Sequence, residues 1–91
     1  MNNDKFISIG FNNIVNSRRV LAVISPDTLP SKRLIQESRE CKKIIDATCG
    51  RKTRAVLILD SNHIVLCGLS TDTIAARLNL LQTDEKEEEA D

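Results

Sequence analysis

Apolar residues follow two rhythms along this chain. VLAVI, AVLIL and HIVLCGL are short, nearly continuous apolar runs, the length and β-branched content of strands. Between Leu29 and Lys43 the rhythm changes. Leu34, Ile35, Ser38 and Cys41 recur at i, i+1, i+4 and i+7, one face of a helix, with Lys32, Arg33, Arg39 and Lys42 on the polar side. Asp27 or Thr28 can cap that helix, and Pro30 suits its first turn. A second helix is predicted over 71–82, capped by Ser70 or Thr71, with Asp72 in its first turn and a stripe of Ile74, Leu78 and Leu81. KFISI (5–9) reads as a strand, GFNNIVNS (10–17) as a turn and loop, and RRVLAVIS (18–25) as a strand stopped by Pro26. IIDAT (44–48) is a further strand. RAVLILD (54–60) and HIVLCGL (63–69) form a hairpin over Asp60, Ser61 and Asn62. The order β-β-α-β-β-β-α predicts an α+β domain: a small mixed or antiparallel five-stranded sheet with two helices.

The three apolar runs do not alternate with polar residues, so both faces of their strands are greasy, as in strands covered on both sides. Two short helices are few for both faces of a five-stranded sheet. Burial of the remainder against copies of the same chain is therefore expected.

Composition adds limits. The 91 residues suit one domain, and 41% apolar with 29% charged residues is a globular balance. No apolar run approaches twenty residues, and the N-terminus lacks the apolar core of a secretory signal, so a cytoplasmic location and no membrane association are expected. The formal net charge of +0 hides a split. TDEKEEEAD (83–91) holds six acids and one lysine, which leaves 12 Lys/Arg against 7 Asp/Glu in residues 1–82. A basic domain (1–82) is thus followed by an acidic tail (83–91) expected to be disordered. The tail serves as a solubilising end or as a competitor for a basic surface.

Enzyme chemistry is scarcely represented. His63, the one histidine, opens a strand beside a turn. Cys41, Cys49 and Cys67 contain no CxxC pair, so neither a zinc site nor a disulfide framework is expected. Cys41 and Cys67 fit core positions, whereas Cys49, next to Gly50 and a cationic turn, is a candidate reactive thiol. GRKT lacks the full G-x-x-x-x-G-K-[ST] pattern of a phosphate loop. Asp46 and Asp60 can pair with arginines as readily as catalyse. The expectation is a protein that is not an enzyme and has no cofactor, metal or small-molecule substrate.

The cations are the strongest signal. They cluster at Arg18-Arg19, Lys32-Arg33, Lys42-Lys43, and Arg51-Lys52 with Arg54. Three in four positions after Gly50 repel one another, and an anionic partner relieves that. Phosphate matches the guanidinium fork, and Gly50 lets backbone approach it. With no Trp or Tyr and only Phe6 and Phe11, the chain lacks the stacking platforms of single-strand binders. Duplex DNA, contacted through phosphates and a groove, fits better. A few cations bind weakly alone, and repetition around an oligomer turns weak contacts into avidity.

IGFNNIV, ISP followed by KRLIQE, DATCGRKTRAV and DSNHIVL keep order and spacing over most of the chain. In these segments the sequence resembles the RemA family of bacterial extracellular matrix regulatory proteins. The resemblance implies a small α/β protein with a fold related to LytTR DNA-binding domains, assembled as a closed heptameric or octameric ring. It also implies DNA binding that activates biofilm matrix genes. By the same resemblance the DNA-binding residues are Arg19, Arg51 and Lys52, with Arg18 an added cation and Arg54 in a supporting or interface role. Lys52 stands where the family pattern has arginine, Cys49 where it has an aromatic, and Asn12 where it has glycine. A structural or protein-interaction module, whose cations bridge subunits or bind an acidic partner, is the alternative reading. A phosphate-ligand protein or enzyme is a third.

Overall fold

Ala55, Val56 and Leu57 expose none of their surface, and Ile64 to Cys67 are all buried. Those two apolar runs form the centre of the molecule. The computed structural model describes residues 5–81. Its elements are β1 (Phe6–Gly10), β2 (Asn13–Asn16), a 3-10 turn (Ser17–Arg19), β3 (Val20–Ile24), α1 (Leu29–Glu40), β4 (Ile44–Asp46), β5 (Ala55–Leu59), β6 (Ile64–Cys67) and α2 (Thr71–Leu81). The fold is α+β, as the pattern predicts.

Six strands make two sheets rather than five making one. β1 and β2 form an antiparallel hairpin, and β3-β5-β6-β4 form a mixed sheet in which only the β4–β6 pair is parallel. β5 and β6 turn back over Asp60, Ser61 and Asn62, with Asn62 left-handed at φ 71°. This is the three-residue loop expected of such a hairpin.

Alternate residues of β5 and β6 feed two apolar clusters. Ala55, Leu57, Val65 and Cys67 pack with Ile7, Ile9 and Ile74, so the β1–β2 hairpin and α2 share one face of the sheet. Val56, Ile64 and Leu66 pack with Leu34 and Ile35 of α1 on the other. β5 and β6 are covered on both faces within one chain, whereas β3 leaves Leu21 exposed; the hairpin's share of that cover is Ile7 and Ile9 of β1, with Val15 added from the segment 10–17 that reads as a loop. β2 escapes the pattern because only Ile14 and Val15 sit between two asparagines. Its turn is made by Phe11 (φ 55°) and Asn12 (φ 66°), left-handed at both positions as a type I′ hairpin requires.

Two further differences have local causes. Arg18 and Arg19 belong to the 3-10 turn, not to a strand, because the Asn16 side chain accepts the Arg18 N–H at 3.0 Å and starts that turn. α1, capped by Thr28 on the Ser31 N–H, ends at Glu40 rather than Lys43. Lys42 is left-handed (φ 59°), and the Lys42 and Lys43 N–H groups bond back to Arg39 and Ser38 carbonyls at 3.1 and 2.8 Å. That is the Schellman ending, made without glycine. Cys41 at this ending is exposed, whereas Cys67 is buried, so only one of the two thiols expected in the core is there. The acidic tail, Gln82 and the Leu81 side chain lie outside the described residues. No described helix is long and apolar enough to cross a membrane.

Candidate nucleic-acid interface

The cationic loop begins where β4 stops. Asp46 Oδ1 accepts both the Thr48 N–H (2.9 Å) and the Thr48 hydroxyl (2.7 Å), closing a local turn. These donors hold the Asp46 carboxyl below its ordinary pKa of 3.8; the Thr48 hydroxyl is the largest cause, and the charge of Arg39 adds to it. The Thr48 carbonyl then accepts the Arg51 N–H at 3.0 Å across Cys49 (φ 57°) and Gly50 (φ 81°). Two successive left-handed residues make a type I′ reverse turn. Gly50 supplies that backbone at no steric cost, and Cys49 does not. Arg54 N–H donates to the Cys67 carbonyl at 2.8 Å, joining the loop's far end to β6.

Thr48 is buried, so its donors need the Asp46 carboxylate. Asp46→Ala should cost about 1 to 2 kcal/mol through those unsatisfied groups, read as a lower urea midpoint, whereas Asp46→Asn should keep the turn. The depressed pKa fixes the sign of the pH effect. The carboxylate's stabilisation is complete above the ordinary carboxylate range and fades as pH falls through the folded value below 3.8. Asp46→Asn should therefore flatten the acid limb of the stability curve; an unchanged limb would contradict this account.

The loop presents Arg51, Lys52 and Arg54 exposed, with no carboxylate partner among the described residues. The Arg51 guanidinium lies over the Phe11 ring, 4.8 Å from its centroid, a cation–π distance. Phe11 and Gly68 join the three cations around an open groove of about 440 Å³. Lys52, Thr53 and Arg54 also line a polar cleft of about 290 Å³ with hydroxyls of Ser25, Ser70 and Thr71; Asp27 is the one acid there.

Arg18 and Arg19 stand elsewhere. Arg19 Nε donates to both oxygens of Asp60 at 2.9 and 3.0 Å, and Asp60 N–H returns a bond to the Arg19 carbonyl at 2.9 Å. This ion pair is half exposed, and its partner is the loop between β5 and β6. Since β3 and β5 are antiparallel, five residues each, Arg19 and the Arg51 loop lie at opposite ends of their ladder, about 20 Å apart along the strands. One chain thus groups Arg51, Lys52 and Arg54 and keeps Arg18 and Arg19 apart from them. Of the two aspartates, Asp60 pairs with an arginine and Asp46 with a threonine.

Phe11 is the site residue that sequence reasoning overlooks. Its signal is its rarity: one of two aromatics, beside a glycine in a tight turn. Asn13 is another, its Nδ2 donating to the Gly10 carbonyl (3.1 Å) and to the Ala47 carbonyl (3.4 Å), which ties hairpin to loop.

The other candidates for chemistry have structural partners or none. His63 Nδ1 shares a hydrogen with Ser61 Oγ at 2.8 Å inside the hairpin loop. Burial pushes the Cys67 thiol up, and its sulfur donates to the Ile9 carbonyl (3.4 Å) while accepting the Leu69 N–H (3.3 Å). Cys41 and Cys49 are exposed. A disulfide exchange reagent should titrate two of the three thiols of the native protein rapidly, and the third only after denaturant is added. Rapid loss of all three would place Cys67 outside the core.

Comparison with known proteins places the chain in a family. A family model described as "RemA-like: Extracellular matrix regulatory protein A-like" matches residues 6–78. A Dictyoglomus turgidum protein is 54% identical over 86 residues, covering 94% of this chain and 98% of its own. One from Alkaliphilus metalliredigens is 53% identical over 77 residues, covering 85% and 83%. One from Carboxydothermus hydrogenoformans is 49% identical over 82 residues, covering 90% and 94%. All three carry the name "Putative regulatory protein". With a family model spanning most of its length and relatives near half-identical end to end, the chain belongs to the RemA-like family.

Proposed function

We propose that this protein is a cytoplasmic DNA-binding transcriptional regulator of matrix genes, acting as a homo-oligomeric ring that meets duplex phosphates and grooves through repeated basic loops. The observation that carries the reading is the loop itself. Arg51, Lys52 and Arg54 project from a connection pinned at both ends, with no acid within ion-pair reach among the described residues. Fixed, unneutralised cations on a rigid turn suit a polyanion. The family's name and the relatives' regulatory names support the same direction.

Oligomerisation has its own support. Leu21 on β3 and Ile45 on β4, the two edges of the four-stranded sheet, are 68% and 47% exposed. Exposed apolar residues on unlike edges favour head-to-tail contact between copies, which closes into a ring when the rotation per step allows. Ile14 and Ile45 also flank a groove of about 360 Å³ with Arg19 and Asp60 at its rim. That groove and the Arg19–Asp60 pair favour the second reading, an interaction module in which some cations hold protein rather than DNA.

Fluorescence anisotropy of a labelled duplex against salt, with light scattering on the same sample, separates the two. The proposal expects a complex at low salt whose log affinity falls linearly with log salt, weaker binding to a single strand, and a mass of several subunits. A single-subunit mass with no duplex binding at low salt overturns it. A large mass without DNA binding leaves the interaction module.

A further inference from the structure

We infer that Phe11 is a positioning residue: its ring holds the Arg51 guanidinium in a fixed pose, so that the arginine is ordered before an anion arrives. This inference rests on the duplex-DNA reading of the same loop and names the device that prepares it.

Four observations converge on it. The Arg51 guanidinium carbon sits 4.8 Å from the ring centroid. Phe11 remains 39% exposed, so the ring is not in place merely to fill the core. Its backbone is left-handed (φ 55°) and flanked by Gly10 (φ 98°) and Asn12 (φ 66°), a conformation bulky residues seldom adopt. Gly68 lies beneath; a Cβ there would stand 3.4 Å from Phe11 Cε2 and 3.9 Å from Arg51 Cβ. These are ordinary contact distances, so the ring and the arginine stem both lie directly over the Gly68 backbone.

The hairpin tip is also fastened to the loop it serves, through Asn13 Nδ2 on the Gly10 and Ala47 carbonyls. The contrast with Arg19 shows why a ring is useful. Asp60 orients Arg19 with a carboxylate and cancels much of its field. A ring face orients a cation through its quadrupole and leaves the full charge for a ligand. Restricting a long side chain beforehand also removes part of the ordering cost on binding.

The test measures duplex affinity by anisotropy at several salt concentrations for the full chain and for F11L, F11Y, R51A and F11L/R51A. F11L should weaken binding about two- to five-fold with an unchanged salt slope, because no cation is lost. F11Y should restore wild-type affinity. In the R51A background F11L should have no further effect. In the free protein, the Arg51 Nε–H resonance should lose its ring-current shift in F11L and keep it in F11Y. F11M replaces F11L if the latter melts early. Equal affinity of F11L and wild type overturns the inference and leaves the DNA reading intact. An undiminished F11L effect without Arg51 also overturns it, since the ring would then act through the hairpin. A wild type indifferent to duplex at low salt removes the DNA reading and this inference together.

Discussion

The double variant Arg51→Ala, Lys52→Ala should bind duplex DNA about 30- to 1000-fold more weakly than the wild type for each subunit engaged, equivalent to about 2 to 4 kcal/mol. Both side chains leave one loop, neither is paired with an acid among the described residues, and neither contributes to either apolar cluster. The loss should therefore appear in binding and not in folding. Two cations removed should lower the slope of log affinity against log salt by about two per engaged subunit. In a repeated array the effect multiplies, and the complex should vanish near physiological salt. Arg19→Ala is the informative contrast. It also frees Asp60, which then adds an unpaired negative charge near the same end of the sheet. Its effect on the slope should be mixed with a small change in stability, of the size of an exposed ion pair. If the double variant binds as the wild type does, the loop is not the contact surface.

Leu57→Ala should be the most destabilising of the changes considered, at about 3 to 4 kcal/mol. Leu57 exposes no surface and pairs across the sheet with Val23 on one side and Val65 on the other. It belongs to the cluster that includes Ile9 of the hairpin and Ile74 of α2. Truncation opens a cavity where three elements meet, and a fully covered strand has little freedom to collapse into it. A domain of this size has roughly 5 to 10 kcal/mol of stability in all, so a third or more is at stake. The urea midpoint should fall with an unchanged slope, measured at one protein concentration because assembly adds to apparent stability. A loss below about 1 kcal/mol would mean that the core relaxes around the gap.

Much of the fold was legible because covering a strand on both faces leaves an unbroken apolar run. β5 and β6 announce themselves in that way, and β3 shows the same unbroken run although its Leu21 stays exposed. The loop between β5 and β6 and the start of both helices are marked by turn and capping residues instead. The hairpin that shields one sheet face was not legible, because β2 places only Ile14 and Val15 between asparagines. Its turn is written Phe-Asn rather than Asn-Gly. The end of α1 was hidden for a related reason: a lysine took the left-handed place that glycine normally marks. At the site, the crowding of Arg51, Lys52 and Arg54 was visible in the sequence. Their separation from Arg19 was not, since it depends on which strands pair and in which direction. The ring under Arg51 is likewise a tertiary contact, and residue order carries no period that encodes it.

The antiparallel pairing of β3 with β5 makes that ladder a calliper. Its jaws are Arg19 at one tip and the Arg51 loop at the other, and its opening is set by strand length rather than by charge. Inserting two residues opposite each other, one pair on each strand, would preserve the inward and outward alternation and widen the jaws by roughly 7 Å. Every cation would survive that change, so spacing could be varied independently of electrostatics, and a partner with a fixed repeat would register the difference.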